Sequence, residues 1–168
     1  MGHTMITRAV GYRLSFLCVL ILLAGCGRAD DLHLGVDEIE TTQGSHWYPD
    51  EKRTPGHLCS RSDADFDEVR YAEKIPHCAR NVNHATRVAV SAPYGVNEDE
   101  LKDYQVDHLI PLALGGSNST QNLWPVPYES ARNKAQFEFA TYNELKEGKI
   151  TQRQAIAKIR TWVKNHLN

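Results

Sequence analysis

The most informative stretch of the chain spans residues 104–127 and reads YQVDHLIPLALGGSNSTQNLWPVP. Residues 104–110 predict a β-strand. Residues 111–120 are rich in Pro, Gly, Ser and Asn and predict a turn-rich connection. Residues 121–126 predict a second short strand that ends at a proline. The stretch is therefore expected to form two strands joined by a glycine-containing loop.

Two helices are predicted after these strands. Residues 129–147 have a helical pattern, and Gly148 is expected to end that helix. Thr151 and Gln154 have the spacing of a capping box at the start of a last helix. The apolar residues of this last helix fall on one face, which predicts a role in the core. They are Ile156, Ile159, Trp162, Val163 and Leu167. Strands followed by helices indicate an α+β fold.

The chain in front of the two strands gives weaker signals. Residues 54–96 are rich in Pro, Gly, Asp and Asn, which predicts short irregular elements. Residues 88–91 fit either a short strand or a helical turn, and periodicity does not separate the two. Asn97 precedes several acidic residues, so it is expected to cap a helix.

The first residues have the features of an export signal. Arg8 and Arg13 precede an apolar run over 14–23, and no acidic residue occurs before Asp30. The run is shorter than the roughly 20 residues that cross a membrane as a helix. It ends in Leu-Ala-Gly-Cys at 23–26, which resembles a bacterial lipobox. An ordinary signal with small residues before its cleavage site is the alternative.

These features divide the chain into three parts. Residues 1–25 are predicted to be a lipoprotein signal peptide, and Cys26 is predicted to be lipidated. Residues 26–53 are polar without periodicity and are expected to be a flexible tether, although Trp47 could still pack on the domain. Residues 54–168 are then expected to form one domain.

The charge balance excludes some classes of protein. The chain carries 19 basic and 21 acidic residues, a net charge of −2, which excludes a histone-like tail and an acidic disordered protein. The charge is uneven, however. Residues 27–103 carry 9 basic and 16 acidic groups (−7), whereas residues 104–168 carry 8 and 5 (+3). The positive C-terminal part is compatible with a polyanionic partner.

Two cysteines remain in the predicted domain, Cys59 and Cys78. An exported compartment is oxidising, so we expect them to form a disulfide, which would add about 3 kcal/mol of stability. Zinc binding with His57 and His77 is the alternative, although the usual Cys-x2-Cys spacing is absent. Two free thiols are the third possibility.

Asp107 and His108 on the first predicted strand have the chemistry that phosphodiester hydrolysis requires. A histidine can take the proton of an attacking water, because its pKa lies near neutral pH. An aspartate is a hard oxygen ligand for Mg²⁺ or Mn²⁺, which can neutralise charge on the phosphate. Successive side chains of a strand point to opposite faces, so a regular strand would separate the two groups.

The segment from Val106 to Pro125 resembles the HNH nuclease motif, which is a ββα-metal (His-Me finger) site. The resemblance covers residues 104–138 closely, and residues 54–168 resemble small exported bacterial proteins of this type. It implies that His108 is the catalytic general base and Asp107 a metal ligand. It implies that Asn122 is a catalytic-site residue that bonds across the hairpin and fixes the loop at His108. It also implies a local distortion of the hairpin beside Asp107 and His108.

The predicted helix departs from the family pattern. The last histidine of the motif would fall at Ala131, and a further ligand at Ala135. Asn133 and Glu138 are the candidate replacements as metal ligands, with Glu129 or water alone as alternatives. Arg132 and Lys134 lie near the start of the same helix. They are candidates for phosphate binding, with solvated surface cations as the alternative.

The resemblance implies a metal-dependent endonuclease that leaves 5′-phosphate and 3′-hydroxyl ends. The expected cofactor is a divalent metal, Mg²⁺ before Mn²⁺, and the expected substrate is DNA before RNA. Nonspecific nicking or degradation is favoured, since no long recognition helix or basic tail is predicted. We expect a monomer anchored in the bacterial envelope, at the outer membrane, or else exported. The alternatives are a weakened HNH fold that only binds nucleic acid and a structural envelope lipoprotein.

Overall fold

The computed structural model describes residues 47–167. The predicted signal peptide, the lipidation site Cys26 and most of the predicted tether lie outside this range. Within the range, no helix combines the length and the apolar character needed to cross a membrane.

The described chain has a mixed α+β fold of strands and helices. The strands are β1 (Phe66–Arg70), β2 (Ile75–Cys78), β3 (Tyr104–His108) and β4 (Leu123–Pro127). The α-helices are α1 (His84–Ser91), α2 (Tyr128–Lys146) and α3 (Gln152–His166). Short 3-10 turns cover Ala92–Tyr94, Glu98–Asp103, Leu112–Leu114 and Thr120–Asn122. The predicted order of strand, loop, strand and two helices after residue 104 is confirmed.

The strands form two separate antiparallel pairs. Strands β1 and β2 pair with an irregularity between Phe66 and Glu68, so that Asp67 is an extra residue in β1. Strands β3 and β4 pair in a regular register from Tyr104 opposite Pro127 to His108 opposite Leu123. The α+β class is therefore confirmed, and the part expected to be irregular contains a second small sheet, β1–β2.

The core lies between β4, α2 and α3. Trp124 of β4 and Leu145 of α2 are buried, and α3 contributes Ala155, Ile159 and Val163. The predicted capping box starts α3, since Thr151 N–H donates to Gln154 Oε1 at 2.8 Å. The predicted apolar face of α3 is thus confirmed as a core face.

Residues 88–91, which fit either a short strand or a helical turn by their sequence, belong to helix α1. Asn83 caps this helix by accepting a hydrogen bond from Thr86 N–H at 2.9 Å. Asn97 also caps a helix as predicted, forming a capping box with Glu100 at the start of a 3-10 turn. The helical period of residues 84–91 is too short to be recognised from the sequence alone.

Residues 47–50, which belong to the predicted tether, pack on the domain. The indole N–H of Trp124 donates to the Trp47 carbonyl at 3.2 Å, and the rings of Trp47 and Tyr104 lie 4.9 Å apart. Pro49 is buried. Trp47, in the predicted tether, thus packs on the domain through contacts with Tyr104 and Trp124.

Cys59 and Cys78 form a disulfide with a Cα–Cα distance of 5.8 Å. The bond confirms the predicted pairing and excludes the zinc and free-thiol alternatives for these sulfurs. It ties the chain in front of β1 to the end of β2. Cys59 N–H also donates to the Gly115 carbonyl at 2.8 Å, so the disulfide region contacts the loop between β3 and β4.

Candidate active site

The loop between β3 and β4 is held by the side chain of Asn122, which is fully buried. Its Oδ1 accepts from Ile110 N–H at 2.9 Å, and its Nδ2 donates to the carbonyls of Ile110 (3.0 Å) and Ser117 (2.9 Å). Gly116 makes this close approach feasible, since a Cβ there would lie 1.8 Å from the Ile110 carbonyl oxygen. Asn122 therefore fixes the backbone that follows His108, which is the contact pattern expected for it.

His108 lies at the end of β3, and its ring is held on both nitrogens. Nε2 lies 3.1 Å from Asn118 Oδ1. The orientation of the Asn118 amide is set by its Nδ2, which donates to Asp65 Oδ2 at 3.0 Å and to the Ala79 carbonyl at 2.7 Å. Because Oδ1 of Asn118 can only accept, the network assigns the ring proton to Nε2.

The other ring nitrogen of His108 is consequently unprotonated and faces a cation. Nδ1 accepts from Arg80 Nη1 at 3.2 Å, while Arg80 Nη2 donates to the Val106 carbonyl at 2.8 Å. The side chain of Arg80 reaches the ring from an exposed position just after β2. The lone pair of His108 and a guanidinium group are thus adjacent.

Burial lowers the pKa of His108 to about 4. The positive charge of Arg80 contributes to this lowering of the pKa, whereas the hydrogen bond to Asn118 and the Asp107 carboxylate oppose it. The imidazole is therefore neutral at pH 7, with Nδ1 free of a proton, but it is a weaker base than the near-neutral pKa expected from the sequence would make it.

Asp107 is paired with a buried lysine. Its Oδ2 accepts from Lys134 Nζ at 2.9 Å, and the same ammonium donates to the His108 carbonyl at 2.8 Å and to Glu138. The Lys134 side chain is 0% exposed. Lys134 was predicted to bind phosphate from the helix surface, and this prediction is wrong for the structure described. The ammonium is enclosed, because the two carboxylates and the carbonyl take all three of its protons.

The charges of this group perturb one another. Burial acts to lower the pKa of Lys134, but the carboxylates of Asp107 and Glu138 outweigh it, so the pKa is raised and the ammonium stays charged. Burial raises the pKa of Glu138, and the nearby Asp107 carboxylate adds to this effect, although Lys134 opposes it. The three side chains form one buried ionic cluster, which we call the lysine cluster.

The expected distortion of the hairpin is absent from the β3–β4 ladder, since the register is regular through His108. The side chains of Asp107 and His108 instead reach different partners. The carboxylate meets Lys134 of α2, whereas the ring meets Arg80 and Asn118. Lys134 links the two residues by bonding the carboxylate of one and the carbonyl of the other. No bulge is required for this arrangement.

The helical period places the remaining candidate metal and phosphate ligands on different faces of α2. Glu138 lies four residues after Lys134 and shares the same face of α2. Asn133 and Arg132 are exposed. Asn133 is thus not a ligand of the Asp107 site, because one residue before Lys134 it lies about 100° around the helix. Arg132 remains available to a phosphate in solution. Ala131 is buried and offers no ligand atom.

Two groups among residues 47–167 bring three potential ligand side chains together. One is Cys59, Asp63 and Cys78, whose sulfurs form the disulfide, and the other is Asp67, Glu68 and His77 on the β1–β2 pair. Neither includes Asp107.

The lysine cluster nevertheless supplies two carboxylates. Mg²⁺ binds through one or two carboxylates, substrate phosphates and water. Lys134 bonds Oδ2 of Asp107 and leaves Oδ1 for another partner. Asp107 and Glu138 are therefore the carboxylates that a hard divalent cation would use, in competition with the ammonium of Lys134.

Arg80 and Asn118 are site residues that sequence reasoning missed. Arg80 lies in the segment expected to be irregular, and Asn118 lies in a loop expected to contain only turns. Both reach His108 across chain separations of 28 and 10 residues. No local pattern marks such contacts.

Comparison with family models, with curated proteins and with solved structures gave no match to this chain. The assignment of function thus depends on the site geometry and on the sequence resemblance.

Proposed function

We propose that this protein is a metal-dependent endonuclease of the HNH type that hydrolyses phosphodiester bonds, in DNA before RNA. The observation that carries the proposal is the geometry at His108, whose Nδ1 lies 3.2 Å from Arg80 Nη1 while its Nε2 is held by Asn118. Asp107 precedes it on the same strand. A proton acceptor next to a phosphate-binding cation is the combination that phosphodiester hydrolysis requires. The finer fold class, a ββα-metal core formed by β3, β4 and α2, belongs to the same proposal.

In this mechanism His108 Nδ1 accepts a proton from the attacking water. Asn118 holds the ring through Nε2 and fixes the direction of Nδ1. The water oxygen bonds to phosphorus while the bond to the 3′ oxygen breaks. The 3′ oxygen leaves with the electron pair and takes a proton from solvent, which gives 5′-phosphate and 3′-hydroxyl ends.

Arg80 has two roles in the proposal. In the free protein its Nη1 donates to His108 Nδ1. When a phosphate is bound, the guanidinium transfers this hydrogen bond to a phosphate oxygen, because a charged acceptor is stronger than a neutral ring nitrogen. The transfer frees Nδ1 for water and stabilises the charge that develops on the phosphate.

Asp107 and Glu138 are the residues that would hold the divalent cation, Mg²⁺ or Mn²⁺. When bound, this ion would neutralise charge on the phosphate and on the leaving oxygen. Lys134 holds both carboxylates in place from α2. Export, lipid anchorage at Cys26 and a monomeric state are the remaining parts of the proposal.

One observation favours a second candidate, a domain that binds nucleic acid without cutting it. Lys134 already neutralises Asp107 and Glu138, and the helix position expected to carry a ligand is Ala131. Both features weaken the binding of a metal ion. The accessible Arg80 and Arg132 would still attract phosphates.

The test is the conversion of supercoiled plasmid to nicked and linear forms by the purified protein in Mg²⁺ or Mn²⁺. EDTA and His108→Ala are each expected to abolish cleavage. Retention of plasmid on a gel without cleavage in either metal would favour the second candidate. Cleavage that persists with EDTA and in His108→Ala would contradict the mechanism.

A further inference from the structure

A second cleft lies beside the candidate active site. It has a volume of about 390 Å³ and is lined by Arg80, Arg87, Gln105, Val106 and Tyr128. Arg80 belongs to both places, since its Nη1 faces His108 and its Nη2 bonds the Val106 carbonyl. None of the five lining side chains is acidic.

The two arginines of this cleft are bound to backbone carbonyls. Arg87 Nη2 donates to the Leu101 carbonyl at 3.0 Å and to the Tyr104 carbonyl at 3.4 Å. Arg80 bonds the Val106 carbonyl in the same way. Both guanidinium groups are thus attached to the edge of β3 or to the turn before it. This attachment orients them without neutralising their charge.

Neither arginine has a carboxylate partner within residues 47–167. The ion pairs of this part of the chain involve other cations, among them Arg53, Arg70, Lys134 and Lys158. A guanidinium group that is partly buried without an anion is costly, unless an anion from outside completes it. The two carbonyl bonds of Arg87 use only its Nη2.

Tyr128 gives the cleft an aromatic rim. It is the first residue of α2 and is 49% exposed. An exposed aromatic ring next to two cations suits a nucleotide, since the ring can stack on a base while the arginines bind phosphate. Arg132, one turn further along α2, is also exposed and extends the positive surface.

We infer that this cleft binds the phosphodiester backbone of the nucleic acid next to the scissile phosphate. Arg87 binds the flanking phosphate, and Arg80 lies between the flanking phosphate and the scissile phosphate. Tyr128 stacks on the base between these two phosphates. The inference rests on the proposed function for the position of the scissile phosphate. The contacts are to backbone and to a base face, so they carry no sequence preference.

The test measures binding by fluorescence anisotropy, with a short labelled DNA duplex and its single strand, in EDTA to prevent cleavage. Arg87→Ala is expected to weaken binding about tenfold at low salt and to reduce the slope of log affinity against log salt by about one. Arg153→Ala is the matched control, because it removes the same charge from an exposed position in α3. It should stay within about twofold of the wild type.

Two further variants separate phosphate binding from a structural role. Arg87→Lys keeps the charge and should keep the salt slope, even if the lost carbonyl bonds lower the thermal midpoint. Tyr128→Ala should weaken binding of the single strand about fivefold and leave the salt slope unchanged.

Equal effects of Arg87→Ala and Arg153→Ala, or no binding of DNA by the wild type, would overturn the inference. If the wild type cleaves DNA and Arg87→Ala has no effect on DNA binding, the inference about the cleft is overturned while the proposed nuclease function stands. Binding that depends on Arg87 without any cleavage would support the inference and contradict the proposed nuclease function.

Discussion

The two strand pairs of this protein carry charged residues in opposite ways. In the β1–β2 pair, Asp67 and Glu68 are about half exposed and face His77 and Arg70. In the β3–β4 pair, Asp107 and His108 are buried. The Asp107 carboxylate bonds Lys134, and the His108 ring bonds Arg80 and Asn118. Water screens the exposed charges of the β1–β2 pair. Burial instead strengthens the electrostatic interactions of the charged groups in the β3–β4 pair.

The comparison shows why the number of charged residues is a poor guide to a site. The β1–β2 pair has the larger set of potential metal ligands, but its carboxylates are solvated and both of them already pair with Arg70. The β3–β4 pair has fewer such residues, but the pKa of its histidine is perturbed by burial. Perturbed groups of this kind concentrate at functional sites.

The largest effect is expected for the lysine cluster. Lys134→Ala removes the only cation that bonds both carboxylates, Asp107 and Glu138, in the described structure. We expect a loss of about 3–5 kcal/mol in the free energy of unfolding, because the buried carboxylate of Asp107 and the partly buried carboxylate of Glu138 are left uncompensated. Denaturant unfolding of the oxidised protein measures this loss. Arg132→Ala, from an exposed position two residues earlier on α2, should change stability by less than about 0.5 kcal/mol. A loss below about 1 kcal/mol for Lys134→Ala would show that the cluster is solvated.

The disulfide is expected to contribute the next largest effect. Cys59 and Cys78 are separated by 19 residues, so reduction should cost about 3 kcal/mol through the entropy of the unfolded chain. The double variant Cys59→Ser with Cys78→Ser should show the same loss and no further change when reductant is added. Equal thermal midpoints with and without reductant in the wild type would refute a stabilising role.

The pH dependence of stability should come from the buried histidine. The pKa of His108 is lowered from 6.5 in the unfolded chain to about 4 in the folded protein. Between these values the unfolded chain binds more protons, so stability falls as the pH falls below 6.5, until about pH 4. From pH 7 to pH 5 we expect a loss of about 2 kcal/mol from this group. The difference in unfolding free energy between wild type and His108→Gln, measured at pH 7 and at pH 5, isolates the contribution of His108. Parallel curves for the two proteins would contradict the assignment of a buried neutral ring.

The smallest effect is expected in the β1–β2 pair. Glu68→Gln breaks the ion pair with Arg70, whose side chains are 53% and 34% exposed. The unfolding free energy should change by less than about 1 kcal/mol, and less still at high salt. A loss comparable to that of Lys134→Ala would erase the contrast between the two strand pairs.

Much of the fold could be predicted because its signals are local. The capping box of Thr151 and Gln154, the apolar period of α3 and the turn residues between β3 and β4 each act within a few residues. The disulfide followed from the small number of cysteines and the expected compartment. The packing of residues 47–50 depends on contacts of Trp47 with Tyr104 and Trp124, so the sequence indicated it only through the aromatic character of Trp47.

The candidate site was predictable only in part. Asp107, His108 and Asn122 lie in one motif, whereas Arg80 and Asn118 join them through tertiary contacts. Lys134 resembles a surface cation in the sequence, since nothing local indicates that two carboxylates enclose it. Burial is a property of the packed chain, and it reverses the expected role of this residue.

The central claim is that His108 is a neutral general base in a nuclease site. The most direct test is the single-turnover rate of cleavage of a labelled DNA duplex in Mg²⁺ by the wild type, His108→Gln and His84→Gln. His84 is the matched control, because its ring is exposed and bonds only Glu98. We predict a rate about 10²- to 10⁴-fold lower for His108→Gln and an unchanged rate for His84→Gln. Cleavage by His108→Gln within about threefold of the wild type would contradict it.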